Sequence, residues 1–128
     1  MVGNDGGPRM LRLTALYADL WNTGYLGGPE TLLGRRAKLE AACREVGREP
    51  ATIGVTALIG LWFADLQPKR PTAFESPLTG SVEEIAQAMH GYGRLGVEHI
   101  MFQCAPPSPE ARRRLTEALR LYRAMENE

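Results

Sequence analysis

Ile53-Gly54-Val55-Thr56-Ala57-Leu58-Ile59-Gly60-Leu61-Trp62-Phe63-Ala64 is an almost unbroken apolar run, rich in β-branched and aromatic side chains. Half-exposed strands alternate apolar with polar residues. This run does not, so it reads as a strand covered on both faces. Downstream, Ser81 is followed three residues later by Glu84, the pattern of a helix start whose first amides are capped reciprocally. Val82, Ile85, Ala86, Met89 and Tyr92 then recur at helical spacing, and Gly96 offers a stop. A second non-alternating apolar run follows over residues 97–102. Two buried strands joined through a helix read as a parallel pair with a right-handed crossover.

The same alternation extends in both directions. Upstream, a very short apolar start, Met1-Val2-Gly3, leads to Pro8, a favoured first helical residue, with Met10, Leu11, Thr14, Ala15 and Ala18 at helical spacing. A short run, Leu20-Trp21-Asn22, precedes a second helix that opens near Pro29-Glu30. That helix carries Leu32, Leu39, Ala42, Cys43 and Val46 on one stripe and stops at Gly47. The last helix starts at Ser108-Pro109-Glu110 and keeps Leu115, Ala118, Leu119, Tyr122 and Met125 on one face. The expected class is therefore α/β, with four β/α units and parallel strands in a single domain spanning 1–128. One long connection, residues 65–79, contains Gln67-Pro68-Lys69-Arg70-Pro71 and Ser76-Pro77, and reads as an active-site loop.

Fifteen basic and fifteen acidic side chains cancel, so no long-range field recruits nucleic acid or an anionic membrane. Arg112, Arg113 and Arg114 spread around a helix and read as a solvated face. No apolar stretch is long enough to span a bilayer, and residues 1–8 lack a signal pattern, so the expected location is the cytoplasm. Cys43 and Cys104 belong to no metal or redox spacing and read as reduced, mostly buried thiols. No metal-ligand cluster, nucleophile elbow or paired carboxylates stand out.

Several strings in order carry a resemblance. They are Gly6-Gly7-Pro8-Arg9-Met10-Leu11-Arg12-Leu13-Thr14-Ala15, then Tyr17-Ala18-Asp19-Leu20-Trp21-Asn22, then Cys43-Arg44-Glu45-Val46-Gly47-Arg48-Glu49-Pro50. Gly80-Ser81-Val82-Glu83-Glu84-Ile85-Ala86 and Leu95-Gly96-Val97-Glu98-His99-Ile100 complete the series. Together they resemble the luciferase-like monooxygenases, a family of flavin- or deazaflavin-dependent oxidoreductases, with Glu49 where an Asp is commoner. The resemblance implies a (β/α)8 TIM barrel, a fold of typically ~250 residues, of which these four units correspond to the C-terminal half. On that reading the first strand is a stub and the N-terminal half is missing. The implied cofactor is FMN or coenzyme F420, which carries the redox chemistry while the protein binds and orients.

Candidate site residues follow from both lines of reasoning. Asn4-Asp5-Gly6-Gly7-Pro8 joins a strand to a helix N-terminus, where free amides and the helix dipole favour an anion, although Asp5 would repel one. In the resembled family the matching loop helps to hold the cofactor phosphate, which nominates Gly6, Gly7, Pro8 and Arg9. Trp21-Asn22-Thr23 is expected at the C-terminal end of a strand, the active end of such barrels, with Asn22 and Thr23 hydrogen-bonding cofactor or substrate. Trp21 and Trp62 read as packing, His99 as a core or barrel-facing imidazole, and His90 as a surface residue. Gln103 and Cys104 end the last strand, and no catalytic residue is nominated. A small-molecule substrate is expected. An arc of four units leaves two edges and one sheet face uncovered, so the expected partner is a second copy or a complementing N-terminal half. The alternative reading is a noncatalytic half-barrel that serves assembly or binding.

Overall fold

The computed structural model describes Val2–Gly3 by its backbone and residues 7–126 throughout. Four strands, β1 (Val2–Gly3), β2 (Leu20–Leu26), β3 (Gly54–Trp62) and β4 (Val97–Ala105), alternate with α1 (Pro8–Tyr17), α2 (Glu30–Val46), α3 (Val82–Arg94) and α4 (Pro109–Glu126). Every pairing is parallel and the sheet order is β1-β2-β3-β4, the order of the chain. That identity decides the architecture. Crossovers of one hand between successive neighbours place every helix on the same face of the sheet, as in one arc of a barrel, whereas a doubly wound sheet reverses direction. One continuous core lies between sheet and helices, built on Trp21, Ile59, Leu61, Leu32, Ile85 and Tyr92.

Local chemistry sets the helix ends. Ser81 accepts from the Glu84 amide and Glu84 accepts from the Ser81 amide, so the expected capping box is complete. Gly47 ends α2 with φ of 74°, a left-handed conformation that costs a side-chain-bearing residue more. The Tyr92 hydroxyl, buried under α3, donates to the Gly27 carbonyl at 2.6 Å and ties α3 to the loop after β2. Burial pushes that phenol up to about 12.

The strands differ from the sequence expectation in two ways. β2 and β4 run longer than 20–22 and 97–102, because Thr23-Gly24-Tyr25 and Gln103-Cys104 hide the strand pattern behind polar residues and a glycine. β4 is also not covered on both faces: Glu98, His99 and Gln103 are exposed. Its helix-facing side chains Ile100, Phe102 and Cys104 pack on the core, while nothing among the described residues layers over most of the opposite face. Strand β3 is buried on its helix side through Val55, Ala57, Ile59 and Leu61, while on the opposite side Thr56 and Gly60 are buried and Leu58 only half-buried.

Candidate functional site at the strand C-terminal ends

The long connection of residues 65–79 folds back over the helix-free face. Leu78 forms a parallel bridge to Leu61, with its amide donating to the Gly60 carbonyl at 2.8 Å and its carbonyl accepting from Trp62 at 3.0 Å. Phe74, 2% exposed, lies on Gly60, where a Cβ would stand 3.1 Å from the ring. A methyl at residue 60 would press on the ring, which would have to shift by a few tenths of an ångström. Beside it, Tyr25 adopts φ of 54° where the β2–β3 register shifts, and its ring meets Phe74 at 5.8 Å between centroids. A bulge of this kind re-aims a side chain at a strand end. Trp62 donates its indole N–H to the Gln67 carbonyl at 2.7 Å. Aromatic side chains thus gather at the C-terminal end of β2 and β3.

A clamp holds the root of that connection. Arg114 forms a bidentate pair with Asp65 at 2.7 and 2.9 Å, bonds Glu110 through Nε at 3.1 Å, and lies over the Phe63 ring at 5.0 Å. The expectation that Arg112, Arg113 and Arg114 form only a solvated face fails at Arg114, whose side chain is 23% exposed. The hydrogen bond from Arg114 holds Asp65 below the usual carboxylate range, and Arg113 with Arg114 brings Glu110 down to about 2.

The nominated residues separate into three groups. Gly6, with Asn4 and Asp5, lies outside the described residues. Gly7 is the N-cap of α1 with an extended backbone, Pro8 is the first helical residue, and Arg9 sits exposed in the first turn. That helix start carries no side-chain cap and no acidic residue in its first turn, and nothing lies within 4 Å of where a Gly7 Cβ would point. Asn22 and Thr23 are not at the strand end. Since β2 continues to Leu26, they sit in its middle, and as consecutive residues they point to opposite faces. Thr23 is fully buried toward α2, accepting from Arg35 at 2.7 Å while Arg35 also bonds the Gly24 carbonyl at 2.6 Å. Thr23 therefore anchors a helix and does not join Asn22.

Asn22 lies on the helix-free face. Its Oδ1 accepts from the Thr56 hydroxyl at 2.9 Å, and Thr56 is the register partner of His99. Asn22, Thr56 and His99 thus form a polar row across β2, β3 and β4 at one level. Thr56 was legible only through alternation from Asn22, and the Phe74 seat only through Gly60. Both cysteines are free, Cys43 buried and Cys104 half-buried, and burial pushes both thiols up, away from a reactive thiolate. His90 is a surface residue paired with Glu126 at 3.1 Å. Trp21 is fully buried, and its indole nitrogen meets no hydrogen-bond partner among the described residues.

Neither a known protein family nor a curated protein matches the sequence. Solved structures do. An F420-dependent secondary alcohol dehydrogenase, in complex with an F420-acetone adduct, superposes with a TM-score of 0.55 at 19% identity over 86% of this chain. A coenzyme F420-dependent tetrahydromethanopterin reductase from Methanopyrus kandleri superposes with a TM-score of 0.61 at 13% identity over 90% of it. Both are luciferase-like proteins. What the chain shares with them is the fold. Within it, this chain spans less than half of each neighbour, 43% and 47% of their lengths. Among the described residues, no three His, Cys, Asp or Glu gather to hold a metal, and no helix is long and apolar enough to cross a membrane.

Proposed function

We propose that this chain is the C-terminal half of an F420-dependent oxidoreductase barrel and that the helix-free face is its cofactor and substrate side. The observation that carries the reading is the match of nearly the whole chain to two F420-dependent enzymes. It favours F420 over FMN. The residues fit an anionic group. The start of α1 offers uncapped amides, the Gly7 position leaves open space, and Arg9 supplies a cation one residue beyond the first helical position. Gly6, Gly7, Pro8 and Arg9 would hold the cofactor phosphate.

When bound, F420 would supply hydride transfer to or from a small-molecule substrate. The chain's own part is placement. Asn22, bonded by Thr56, would present its amide on the helix-free face, and Tyr25 and Phe74 would supply apolar surface at its strand-end margin. Equilibrium titration with F420, followed by its own absorbance, should show saturable binding that Gly7→Asp weakens by at least about tenfold, through charge repulsion at the amides. FMN should bind more weakly. Equal, Gly7-independent binding of both, or none at millimolar concentration, would contradict the proposal.

A second reading has its own observation. His99 and Gln103 stand exposed on a sheet face that, in a closed barrel, lines the interior. A noncatalytic half-barrel that docks another half accounts for that exposure, and it would bind neither cofactor.

A further inference from the structure

We infer that Tyr25 is the residue on which a flat heteroaromatic ring of the bound ligand stacks. The inference rests on the reading of the helix-free face as the cofactor and substrate side, and deepens it by assigning the ring's contact. β2 is an interior strand, paired with both β1 and β3. Plain alternation would send Asn22 and Gly24 to its helix-free face, and Thr23 and Tyr25 under the helices. The register shift changes that. Thr23 pairs with Ala57 and Leu26 with Ile59, so two residues, Gly24 and Tyr25, stand against the single Leu58. Leu26 thereby reaches the core, 1% exposed, while a Cβ on Gly24 would lie 3.6 Å from Leu58 on the other face. The Tyr25 ring comes out on that face too, where it meets Phe74.

This placement is held against the backbone's own preference. Tyr25 has φ of 54°, and among the described residues every other positive φ belongs to a glycine. A bulky side chain in the left-handed region is an outlier of the kind that gathers at binding sites. Glycine at residue 25 would make the same bulge without strain and without the ring. Packing alone does not account for the ring, because Tyr25 stays 42% exposed. The surface beside it defines what it takes. Leu58, half-buried, faces the same side, and its register partner Met101 carries the apolar strip onto β4. Below the strip runs the polar row of Asn22, Thr56 and His99, and above it Phe74 sits on Gly60. A ligand lying here meets apolar surface with its face and hydrogen-bonding groups along one edge. A conjugated ring with polar atoms on its rim has that shape, and its face stacks on tyrosine. A flexible aliphatic group would gain nothing from tyrosine that leucine does not give.

Two probes read the contact: F420, and its deazaflavin chromophore prepared without the phosphate-bearing tail. In a chain labelled with fluorotyrosine at its four tyrosines, Tyr25 gives the fluorine resonance that vanishes in Tyr25→Phe. Either probe should shift that resonance and leave in place those of Tyr92, buried under α3, and Tyr122 on α4. Tyr25→Phe keeps the ring and should bind the tail-less chromophore within about twofold of the parent. Tyr25→Leu keeps apolar bulk on the same backbone without the ring, and should lose at least about tenfold. A Tyr25 resonance that stays still at saturation, a Tyr25→Leu chain that binds like the parent, or a parent that binds neither probe would overturn the inference. The tail separates it from the cofactor reading. F420 binding lost in Gly7→Asp but kept in Tyr25→Leu leaves that reading and removes the stacking residue. Equal binding of FMN and F420 that ignores Gly7, with the tail-less chromophore lost in Tyr25→Leu, does the reverse.

Discussion

The two faces of this sheet are made by the same strands and obey different rules. Toward the helices, Trp21, Thr23, Ala57, Ile59 and Leu61 are fully buried, and even the polar Thr23 is tied to a helix arginine. Toward the other side, Asn22, Thr56, His99 and Gln103 interrupt the apolar pattern, and His99 and Gln103 are exposed. Helices finish the first face. The second is finished only in part, by residues 65–79, and carries the polar row and the aromatic end. Packing against helices resides on one side of each strand and the polar row on the other.

The sharpest way to break that contrast is paired truncation. Ile59→Ala should cost about 2–5 kcal/mol through lost burial and a cavity, whereas Leu58→Ala, one residue away and half-buried, should cost about 1 kcal/mol or less. Denaturant unfolding of the two variants measures it, and equal losses would erase the distinction. Next in size, Thr23→Val should cost about 1 kcal/mol, because Arg35 loses an acceptor inside the structure. Asn22→Ala should cost less than that and should instead lower F420 affinity. A smaller effect is expected at the aromatic end. Gly60→Ala places a methyl 3.1 Å from the Phe74 ring, so amide exchange in residues 65–79 should quicken severalfold while α3 keeps its protection.

The clamp at the loop root gives the smallest effect, and its sign is fixed. Asp65 and Glu110 are both held below their ordinary values of 3.8 and 4.5, Glu110 down to about 2. A depressed carboxyl contributes above its unfolded value and loses that contribution as pH falls through its folded one. Protection of residues 65–79 should therefore be flat from pH 8 to 5 and decline below about 4. Arg114→Met should remove that decline, whereas Arg113→Met should leave the Asp65 share of it in place.

Much of this fold was legible in the sequence. The capping box at Ser81 and Glu84, the Gly47 stop and the apolar run of β3 are local signals that tertiary context did not override. The extent of β2 was not, because Gly24 and the left-handed Tyr25 look like loop while the strand continues through them. Within the site, the Gly7-Pro8 turn was readable from its strand-to-helix position. Thr23 was misplaced, although alternation alone forbids neighbours in a strand from sharing a face. Arg114 clamping Asp65 was invisible, since 49 residues of chain separate the two and only folding brings them together.

Hydrogen exchange with and without F420 tests most directly the claim that the helix-free face is the cofactor side. The account expects added protection at residues 7–11, where α1 begins, and in residues 65–79, with α2 and the outer surface of α4 unchanged. Protection confined to the groove between α3 and α4, or none anywhere under saturating F420, would contradict it.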